Sequence, residues 1–367
     1  MKPNFQEIVR QFRFEGDFSS ANPYGVGHIN DTYMVVFKQH GSIQRYILQQ
    51  INHNIFLNPE GMMRNIDVVT SHLRRKIMAR GGDPRRETHT LIPTIDGNSY
   101  LRTEEGEYWR GYHFIDNAST FEVAEYLDHV YNAARAFGKF QNLLSDYPSE
   151  QLVETIPDFH NTRVRFETFI EAVESDDLNR ARSAKSEIDF IMQRAKDTSV
   201  LVDMRERGEL PERITHNDTK FNNVMIDNET GVGVCVIDLD TVMPGLSLYD
   251  FGDAIRSLAN PAAEDERDLS LVRFDLEIYD LYTHGYLDAV GDVLTPLEIK
   301  YLPFSAVLMT LECGMRFLTD HLGGDKYFKI HRENQNLDRC RTQFKMVEDM
   351  GLHFDQMASI VDNYRYE

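Results

Sequence analysis

The sequence is poor in cysteine, in basic residues and in long apolar runs, and each shortage excludes a class of protein. Its 367 residues include three widely spaced cysteines, which argues against a disulfide framework or a zinc site and fits a reducing compartment. The 39 basic residues are outnumbered by 59 acidic ones, so the net charge of −20 argues against a nucleic-acid partner. No run reaches membrane-spanning length and the first residues lack an apolar signal core. We therefore expect a cytoplasmic protein without a membrane partner, and no motif implies a protein partner.

Several nucleotide-binding signatures are also missing. The chain contains no GxxxxGK[ST] phosphate loop, and its glycine-containing turn Tyr24–Asn30 precedes a predicted strand rather than opening a helix, which excludes the dinucleotide fingerprint. The Val-Ala-Ile-Lys and Ala-Pro-Glu motifs of protein kinases are absent. The sequence is therefore not that of an ordinary protein kinase.

One segment nevertheless carries the polar groups that phosphoryl transfer from ATP requires. It reads HNDTKFNN from His216 to Asn223, and the apolar run Val232–Ile237 then leads to Asp238. Asp218 is a candidate for the base that takes the proton of an acceptor hydroxyl. Asn223 and Asp238 suit Mg²⁺, which takes one or two oxygen ligands from protein and the rest from phosphates and water. The pattern predicts an ATP-dependent kinase that uses Mg²⁺.

The surroundings of this segment favour a metal site over a plain polar turn. Arg213–Thr215 is predicted to be a short strand, residues 227–231 a turn, and the apolar run a buried strand. Asn223 and Asp238 would then approach one ion from either side of a hairpin-like unit. A turn whose side chains only satisfy backbone groups would not explain why His, Asp, Lys and Asn all occupy matching positions.

A second candidate for the metal ligand is the triplet Asp250-Phe251-Gly252, which spells the metal-binding signature of protein kinases. It lies 27 residues beyond Asn223, whereas Asp238 lies 15 beyond it and ends a predicted strand. Asp250 is instead expected to cap a helix over residues 251–258, or to support the catalytic loop. We assign His216 and Asp250 to structural support of that loop.

The order of predicted elements divides the chain into two lobes. Strands dominate the first third, together with a helix that opens at Asn58-Pro59, ends at Gly81-Gly82 and buries Met63, Ile66, Val69, Leu73 and Ile77. Helices dominate from Thr120 onward, the first from Phe121 to about Leu144 with Leu127, Val130, Ala134, Phe137 and Phe140 facing the core. We predict an α+β, bilobal, protein-kinase-like fold, with a β-rich nucleotide-binding lobe over residues 1–115 and a helical catalytic and substrate-binding lobe over residues 116–367.

In such folds the nucleotide lies under a glycine-containing turn of the first lobe. The candidate is the turn Tyr24–Asn30, in which Gly25, Gly27 and Asn30 are the predicted nucleotide-binding residues. Glycines with positive φ would explain such a turn equally well, so its assignment depends on the downstream motif.

With these residues in place, the chain resembles the aminoglycoside phosphotransferase and choline kinase group, and more closely the bacterial N-acetylhexosamine 1-kinases. The resemblance covers nearly the whole chain. Its densest segments are YGVGHINDTY (24–33), RYILQQIN (45–52), THNDTKFNN (215–223), IDLDTVMPGLSLYDFGDAIR (237–256), LECGMRF (311–317) and RTQFKMVED (341–349). The catalytic motif is common to the wider group, whereas the His-Ile-Asn turn, the Glu-Cys-Gly-x-Arg segment and the segment Asp325–Phe328 are more specific to the sugar kinases.

The resemblance implies transfer of the ATP γ-phosphate to the anomeric hydroxyl of N-acetylglucosamine or N-acetylgalactosamine, which yields a sugar 1-phosphate. It implies that Asp218 is the catalytic base and that Lys220 lies where a cation meets the transferred phosphoryl group. The implied magnesium ligands are Asn223 and Asp238, and the implied sugar-binding residues are His28, Asp238, Arg316 and Tyr327. The sequence leaves open which of the two sugars is preferred.

Structural alternatives exist for the sugar-binding residues. Arg316 follows Glu312 by four residues, a spacing that suits an ion pair on one helix. His28 could be a solvated loop residue and Tyr327 a core aromatic. Gln49 and Gln50 occupy the strand where an ATP-clamping lysine would be expected, so the residue that neutralises the α- and β-phosphates is not identified.

Two other functions remain open. The same chemistry could act on choline, an amino alcohol or an aminoglycoside, cationic acceptors that call for an acidic or aromatic pocket. The chain could also be a non-catalytic nucleotide-binding regulator, although such proteins would be expected to lose the base or a metal ligand, and Asp218, Asn223 and Asp238 are all present.

Overall fold

The computed structural model describes residues 3–25, 29–124 and 126–364, and its first part is built around an antiparallel sheet. The strands run in the order β1-β2-β3-β6-β4, and β5 pairs with β6. Their bounds are Asp17–Pro23 (β1), Asp31–Gln39 (β2), Ser42–Ile51 (β3), Leu91–Ile92 (β4), Leu101–Arg102 (β5) and Tyr108–His113 (β6), after a short helix Phe5–Val9 (α1).

Alternating apolar residues explain how this sheet forms its core. Strands β2 and β3 form a hairpin whose turn uses positive φ at His40 and Gly41. Val35 on β2 and Leu48 on β3 point inward and are fully buried, and they pack in one cluster with Trp109 of β6. The strands predicted over residues 32–37 and 45–51 are thus observed within β2 and β3.

The predicted helix after Asn58 is observed as Pro59–Ala79 (α2). The Asn58 side chain caps it by accepting the Gly61 N–H, and Pro59 fills its first position. The five residues predicted to face the core are each at most 3% exposed: Met63, Ile66, Val69, Leu73 and Ile77. A short helix, Pro84–Glu87 (α3), follows.

The next helix begins later than the sequence predicts. It spans Leu127–Leu144 (α4) instead of starting at Phe121, and Leu127, predicted to face the core, is 47% exposed. The segment before α4 makes a tertiary contact instead, in which both carboxylate oxygens of Glu122 accept hydrogen bonds from the side-chain amide nitrogen of Asn222. The remainder of the predicted apolar face is buried: Val130, Ala134, Phe137 and Phe140.

The second part of the chain is mainly helical and carries two small sheets. Its helices are Thr162–Ser175 (α5), Lys185–Gln193 (α6), Val200–Glu206 (α7), Ser247–Leu258 (α8), Leu276–Val290 (α9), Pro296–Gly323 (α10), Gln335–Leu352 (α11) and Phe354–Tyr364 (α12). Its strands are Ala118–Ser119 (β7), Arg213–Thr215 (β8), Val224–Asp227 (β9), Gly233–Val236 (β10) and Met243–Gly245 (β11), where β7-β9-β10 and β8-β11 pair. The predicted β-rich first lobe and helical second lobe are confirmed.

The longest of these helices, α10, crosses α8 at close range. A Cβ added at Gly252 of α8 would lie 2.4 Å from the Ser305 carbonyl oxygen and 2.6 Å from Met309 Cγ of α10. The glycine of the Asp-Phe-Gly triplet therefore serves helix packing. Among the helices of the described residues, none combines the length and the apolar character needed to cross a membrane.

Candidate active site

The predicted catalytic loop lies between β8 and β9 and is held by a carboxylate from α8. Asp250 accepts the backbone N–H groups of His216 and Asn217 at 2.9 and 2.8 Å, and the Gln141 amide at 2.8 Å. Burial raises the pKa of Asp250 although these donors and His216 oppose the rise. Helix α8 starts at Ser247, so Asp250 lies inside its first turn, and its carboxylate binds the catalytic loop rather than capping a helix that starts after it.

His216 joins the catalytic loop to the strand that precedes Asp238. Its Nε2 lies 2.8 Å from the Ile237 carbonyl oxygen, and its Nδ1 accepts the backbone N–H of Asp218 at 3.3 Å. The imidazole is packed edge-on against Phe137 and Phe140 of α4. The side chain is fully buried, so it supports the loop and is not exposed to a substrate.

Asp218, Lys220 and Asn223 converge at the end of this loop. Lys220 Nζ lies 3.1 Å from Asp218 Oδ2, and Asn223 Nδ2 donates to the Asp218 carbonyl at 2.7 Å and to Oδ2 at 3.2 Å. Desolvation works against the ammonium charge, but the Asp218 carboxylate outweighs it and raises the pKa of Lys220. The Asp218 side chain is 27% exposed, so it is accessible to an acceptor hydroxyl.

Asp238 follows β10 in a left-handed backbone conformation, with φ 58° and ψ 57°. The Ile237 N–H donates to the Asn223 carbonyl at 2.9 Å, which brings the loop bearing Asn223 beside Asp238. Burial, Asp240 and Asp218 raise the pKa of Asp238 to about 6, and Lys220 and His216 oppose the rise. Carboxylates crowd this position and favour a bound cation.

These residues fit Mg²⁺ by the chemistry of their donors. The Asn223 amide nitrogen is used by Asp218, which leaves its oxygen as the available donor, and Asp238 adds a carboxylate, so both offer the hard oxygen atoms that Mg²⁺ prefers. In the part of the chain that the structure describes, no group of three or more His, Cys, Asp or Glu side chains forms a metal site. A magnesium ion that arrives with nucleotide phosphates needs only one or two protein ligands.

Arg316 and Tyr327 lie together, with Arg316 Nη2 3.5 Å from the Tyr327 hydroxyl oxygen. The Arg316 guanidinium carbon is 5.2 Å from the ring centre of Phe159, 5.8 Å from that of Tyr327 and 5.6 Å from that of Phe328. Tyr327 is 66% exposed and is not a core aromatic. The Glu312 carboxylate binds His160 and Thr162, so the ion pair that the i,i+4 spacing offered to Arg316 is replaced by these contacts.

The segment that carries Tyr327 is ordered by a single carboxylate. Asp320 of α10 accepts the backbone N–H groups of Lys326, Tyr327 and Phe328 at 2.8, 2.8 and 2.9 Å. The Asn336 amide also donates to it at 2.9 Å. The exposed Tyr327 ring is therefore presented from a fixed backbone.

The predicted nucleotide-binding turn is described only in part. Gly25 has φ 77°, which glycine adopts without strain, and the Tyr24 N–H donates to the Thr32 carbonyl at 2.9 Å. Gly27 and His28 lie outside the described residues. The Asn30 side chain donates to Asp240 at 2.6 Å and accepts the Asn52 N–H at 3.0 Å, so its polar atoms bind protein groups.

Comparison with known proteins adds the family. Residues 20–282 match the family described as "Phosphotransferase enzyme family" (APH). The chain belongs to this family. The match includes most of the first lobe, the catalytic loop and the segment that carries Asp238, and it ends before α10.

Solved structures of low identity share the fold of this phosphotransferase. An aminoglycoside phosphotransferase from Alicyclobacillus acidocaldarius subsp. acidocaldarius DSM 446 is 12% identical with a TM-score of 0.65, and the match covers 99% of this chain and 97% of that one. A choline kinase from Cryptosporidium parvum Iowa II is 12% identical with a TM-score of 0.56, and the match covers 100% of this chain and 96% of that one. A microcompartment-associated aminopropanol kinase is 14% identical with a TM-score of 0.57, and the match covers 96% of this chain and 98% of that one. These likenesses show the bilobal kinase-like fold.

Sequence reasoning missed one buried ion pair of the phosphotransferase. Arg110 of β6 lies 2.5 Å from Asp240, both side chains are 2% exposed, and Arg110 Nε donates to Gln49 of β3 at 3.0 Å. Asp240 also accepts from Asn30, so its carboxylate joins the first-lobe sheet, the glycine-containing turn and the segment after Asp238. A signal is present in the sequence, because Arg110 interrupts an apolar strand and pairs with Gln49, the strand position where an ATP-clamping lysine would be expected.

Proposed function

We propose that this phosphotransferase is an ATP-dependent kinase that phosphorylates the anomeric (C1) hydroxyl of N-acetylglucosamine or N-acetylgalactosamine. In this proposal residues 1–115 bind the nucleotide and residues 116–367 carry catalysis and the acceptor. Gly25, Gly27 and Asn30 lie at the phosphates, and Asn30 contributes its backbone because its side chain binds Asp240 and Asn52. The observation that carries the choice of acceptor is the position of the Arg316 guanidinium among three aromatic rings.

The chemistry follows from the catalytic loop. Asp218 accepts the proton of the C1 hydroxyl as that oxygen bonds to the γ-phosphorus, and the bond from phosphorus to the β,γ-bridging oxygen breaks to release ADP. Lys220, 3.1 Å from Asp218, offsets negative charge on the transferred phosphoryl group. Asn223 and Asp238 would hold Mg²⁺, which supplies charge neutralisation for the nucleotide phosphates. Asn223 also donates to Asp218 and so keeps the base oriented.

The acceptor side of the site favours a neutral, hydroxyl-rich substrate. Kinases of cationic acceptors need acidic or aromatic surfaces that attract the substrate cation. In this chain the rings of Phe159, Tyr327 and Phe328 already face the Arg316 guanidinium. A second guanidinium, Arg165, donates to the Phe159 carbonyl at 3.1 and 2.9 Å, and burial and Arg316 lower its pKa. Two adjacent cations repel choline or an aminoglycoside and provide donors for sugar oxygens.

The test is a magnesium-dependent assay of ADP formation with both N-acetylhexosamines, galactose, glucose, choline, homoserine and kanamycin. We expect turnover with an N-acetylhexosamine and an acid-labile 1-phosphate product, identified by NMR. Turnover confined to a cationic acceptor would overturn the choice of acceptor and keep the phosphotransferase chemistry. Nucleotide binding without turnover on any acceptor would favour a regulator instead.

Two variants test the roles of individual residues. Asp218→Asn is expected to lower kcat by about 10²–10⁴-fold and to leave nucleotide affinity within a factor of two or so, because the lost group is a general base. Arg316→Gln is expected to lower kcat/KM for the sugar by roughly 10–100-fold, since charged hydrogen bonds contribute about 1.5–3 kcal/mol. Full activity in Asp218→Asn would rule out Asp218 as the base, and an unchanged kcat/KM for the sugar in Arg316→Gln would rule out Arg316 as an acceptor-binding residue.

A further inference from the structure

A buried carboxylate of α10 contacts the catalytic loop through a histidine. The Glu312 side chain is 1% exposed, and its oxygens lie 2.8 Å from His160 Nδ1 and 2.5 Å from Thr162 Oγ1. Burial opposes the charge of Glu312, but His160 outweighs it and lowers the pKa of Glu312. An ionised carboxylate can only accept hydrogen bonds, so His160 Nδ1 is the donor.

The other ring nitrogen of His160 faces an acceptor as well. His160 Nε2 lies 3.1 Å from the carbonyl oxygen of Asn217, and a carbonyl cannot donate. Both contacts are satisfied only when both ring nitrogens carry hydrogen. The His160 ring therefore bridges the buried Glu312 carboxylate and the backbone of the catalytic loop.

The residue that receives this bond directly precedes the proposed base. Asn217 has φ 64°, a left-handed conformation that asparagine tolerates better than most residues. Its N–H is held by Asp250 at 2.8 Å and its side-chain amide donates to the Thr241 carbonyl at 2.9 Å. The carbonyl belongs to the peptide that joins Asn217 to Asp218, so His160 fixes the plane from which the Asp218 backbone departs.

We propose that Glu312 and His160 are positioning residues that orient Asp218 through the Asn217 carbonyl. The proposal rests on the base role of Asp218 given above, and it does not depend on which acceptor is phosphorylated. A displacement of about 1 Å at a reacting group can cost about 10²-fold in rate, so a buried contact one residue from the base has a measurable effect.

The experiment uses the full chain with His160→Gln and, separately, Glu312→Gln. The glutamine at position 160 removes the ring that joins Glu312 to the loop, and the glutamine at position 312 keeps the side-chain shape but removes the charged acceptor of the His160 Nδ1 contact. We expect each to lower kcat by about 10–100-fold, with nucleotide affinity and the KM for ATP unchanged. His72→Gln is the matched control, because His72 is also a buried histidine bound to a carbonyl (Leu143) and a carboxylate (Asp146).

A double-mutant cycle with Asp218→Asn separates positioning of the base from general support of the fold. If His160 acts through Asp218, His160→Gln should cause little further loss once Asp218 is asparagine. An equal loss in both backgrounds, or unchanged kcat in both single variants, would overturn the proposal. If His160→Gln does not fold, as judged by its melting curve, Glu312→Gln alone completes the cycle. Full activity of Asp218→Asn by itself would contradict the proposed base, which is a separate outcome from an additive cycle.

Discussion

Asp240→Asn tests the buried ion pair that links the two lobes. The change removes one charge and keeps the side-chain shape, and it leaves the Arg110 guanidinium buried without its carboxylate partner, although Arg110 still donates to Gln49 and Met63. Breaking a buried pair costs about 3–5 kcal/mol, and we expect about 3 kcal/mol here because Asp238 continues to attract the guanidinium. With an unfolding entropy of about 2.1 cal/mol/K per residue over 367 residues, the melting temperature should fall by about 4 °C.

Urea denaturation and calorimetry at pH 7 without nucleotide provide the measurement. Asp203→Asn is the control. The Asp203 side chain is 41% exposed and that of its partner Arg163 is 32% exposed, so this pair should contribute at most about 1 kcal/mol. Combining Arg110→Met with Asp240→Leu should recover much of the lost stability, since apolar replacement of a buried pair is often neutral. An Asp240→Asn loss no larger than that of the control would refute the claim that the Arg110 charge depends on Asp240.

Two further changes test packing and pH dependence. Gly252→Ala should destabilise the protein by about 1–3 kcal/mol, because its Cβ would lie 2.4 Å from the Ser305 carbonyl oxygen, whereas Gly323→Ala, with no atom within 4 Å, should be neutral or slightly stabilising. Glu298→Gln should cost roughly 3 kcal/mol at pH 7, because Glu298 binds Arg213 at 2.6 and 2.8 Å. Burial opposes its charge but Arg213 lowers the pKa of Glu298 below 4.5, so its contribution is present above that pH and lost as pH falls through the folded-state pKa. If the stability difference between the Glu298 protein and Glu298→Gln did not shrink as the pH falls below 4.5, that reasoning would be wrong.

Local patterns predicted the elements whose signals lie close together in sequence. The apolar face of α2 repeats every three to four residues after a proline start, and the residues around Asp218 and Asp238 follow a fixed order along the chain. The start of α4 was mispredicted because residues 121–124 are compatible with a helix but bind the catalytic loop through Glu122. Local propensity does not include that contact.

Contacts between distant segments were beyond sequence reasoning for a different reason. Arg110 and Asp240 are separated by 130 positions, and His160 and Glu312 by 152. Each pair consists of residue types that are common on protein surfaces, and only burial makes them informative. The spacing of Glu312 and Arg316 suits an ion pair on one helix, but the Glu312 carboxylate binds His160 instead.

Helix α10 carries both the contact with the catalytic loop, through Glu312, and the proposed acceptor residue Arg316, one turn apart. Attempts to alter acceptor range by exchanging this helix with that of a relative would therefore also exchange the group that supports Asn217. A graft that ignores position 160 would be expected to yield a folded protein that binds its new acceptor and turns it over slowly. Productive chimeras should transfer position 160 together with the helix, so the smallest exchangeable unit comprises two segments of the chain.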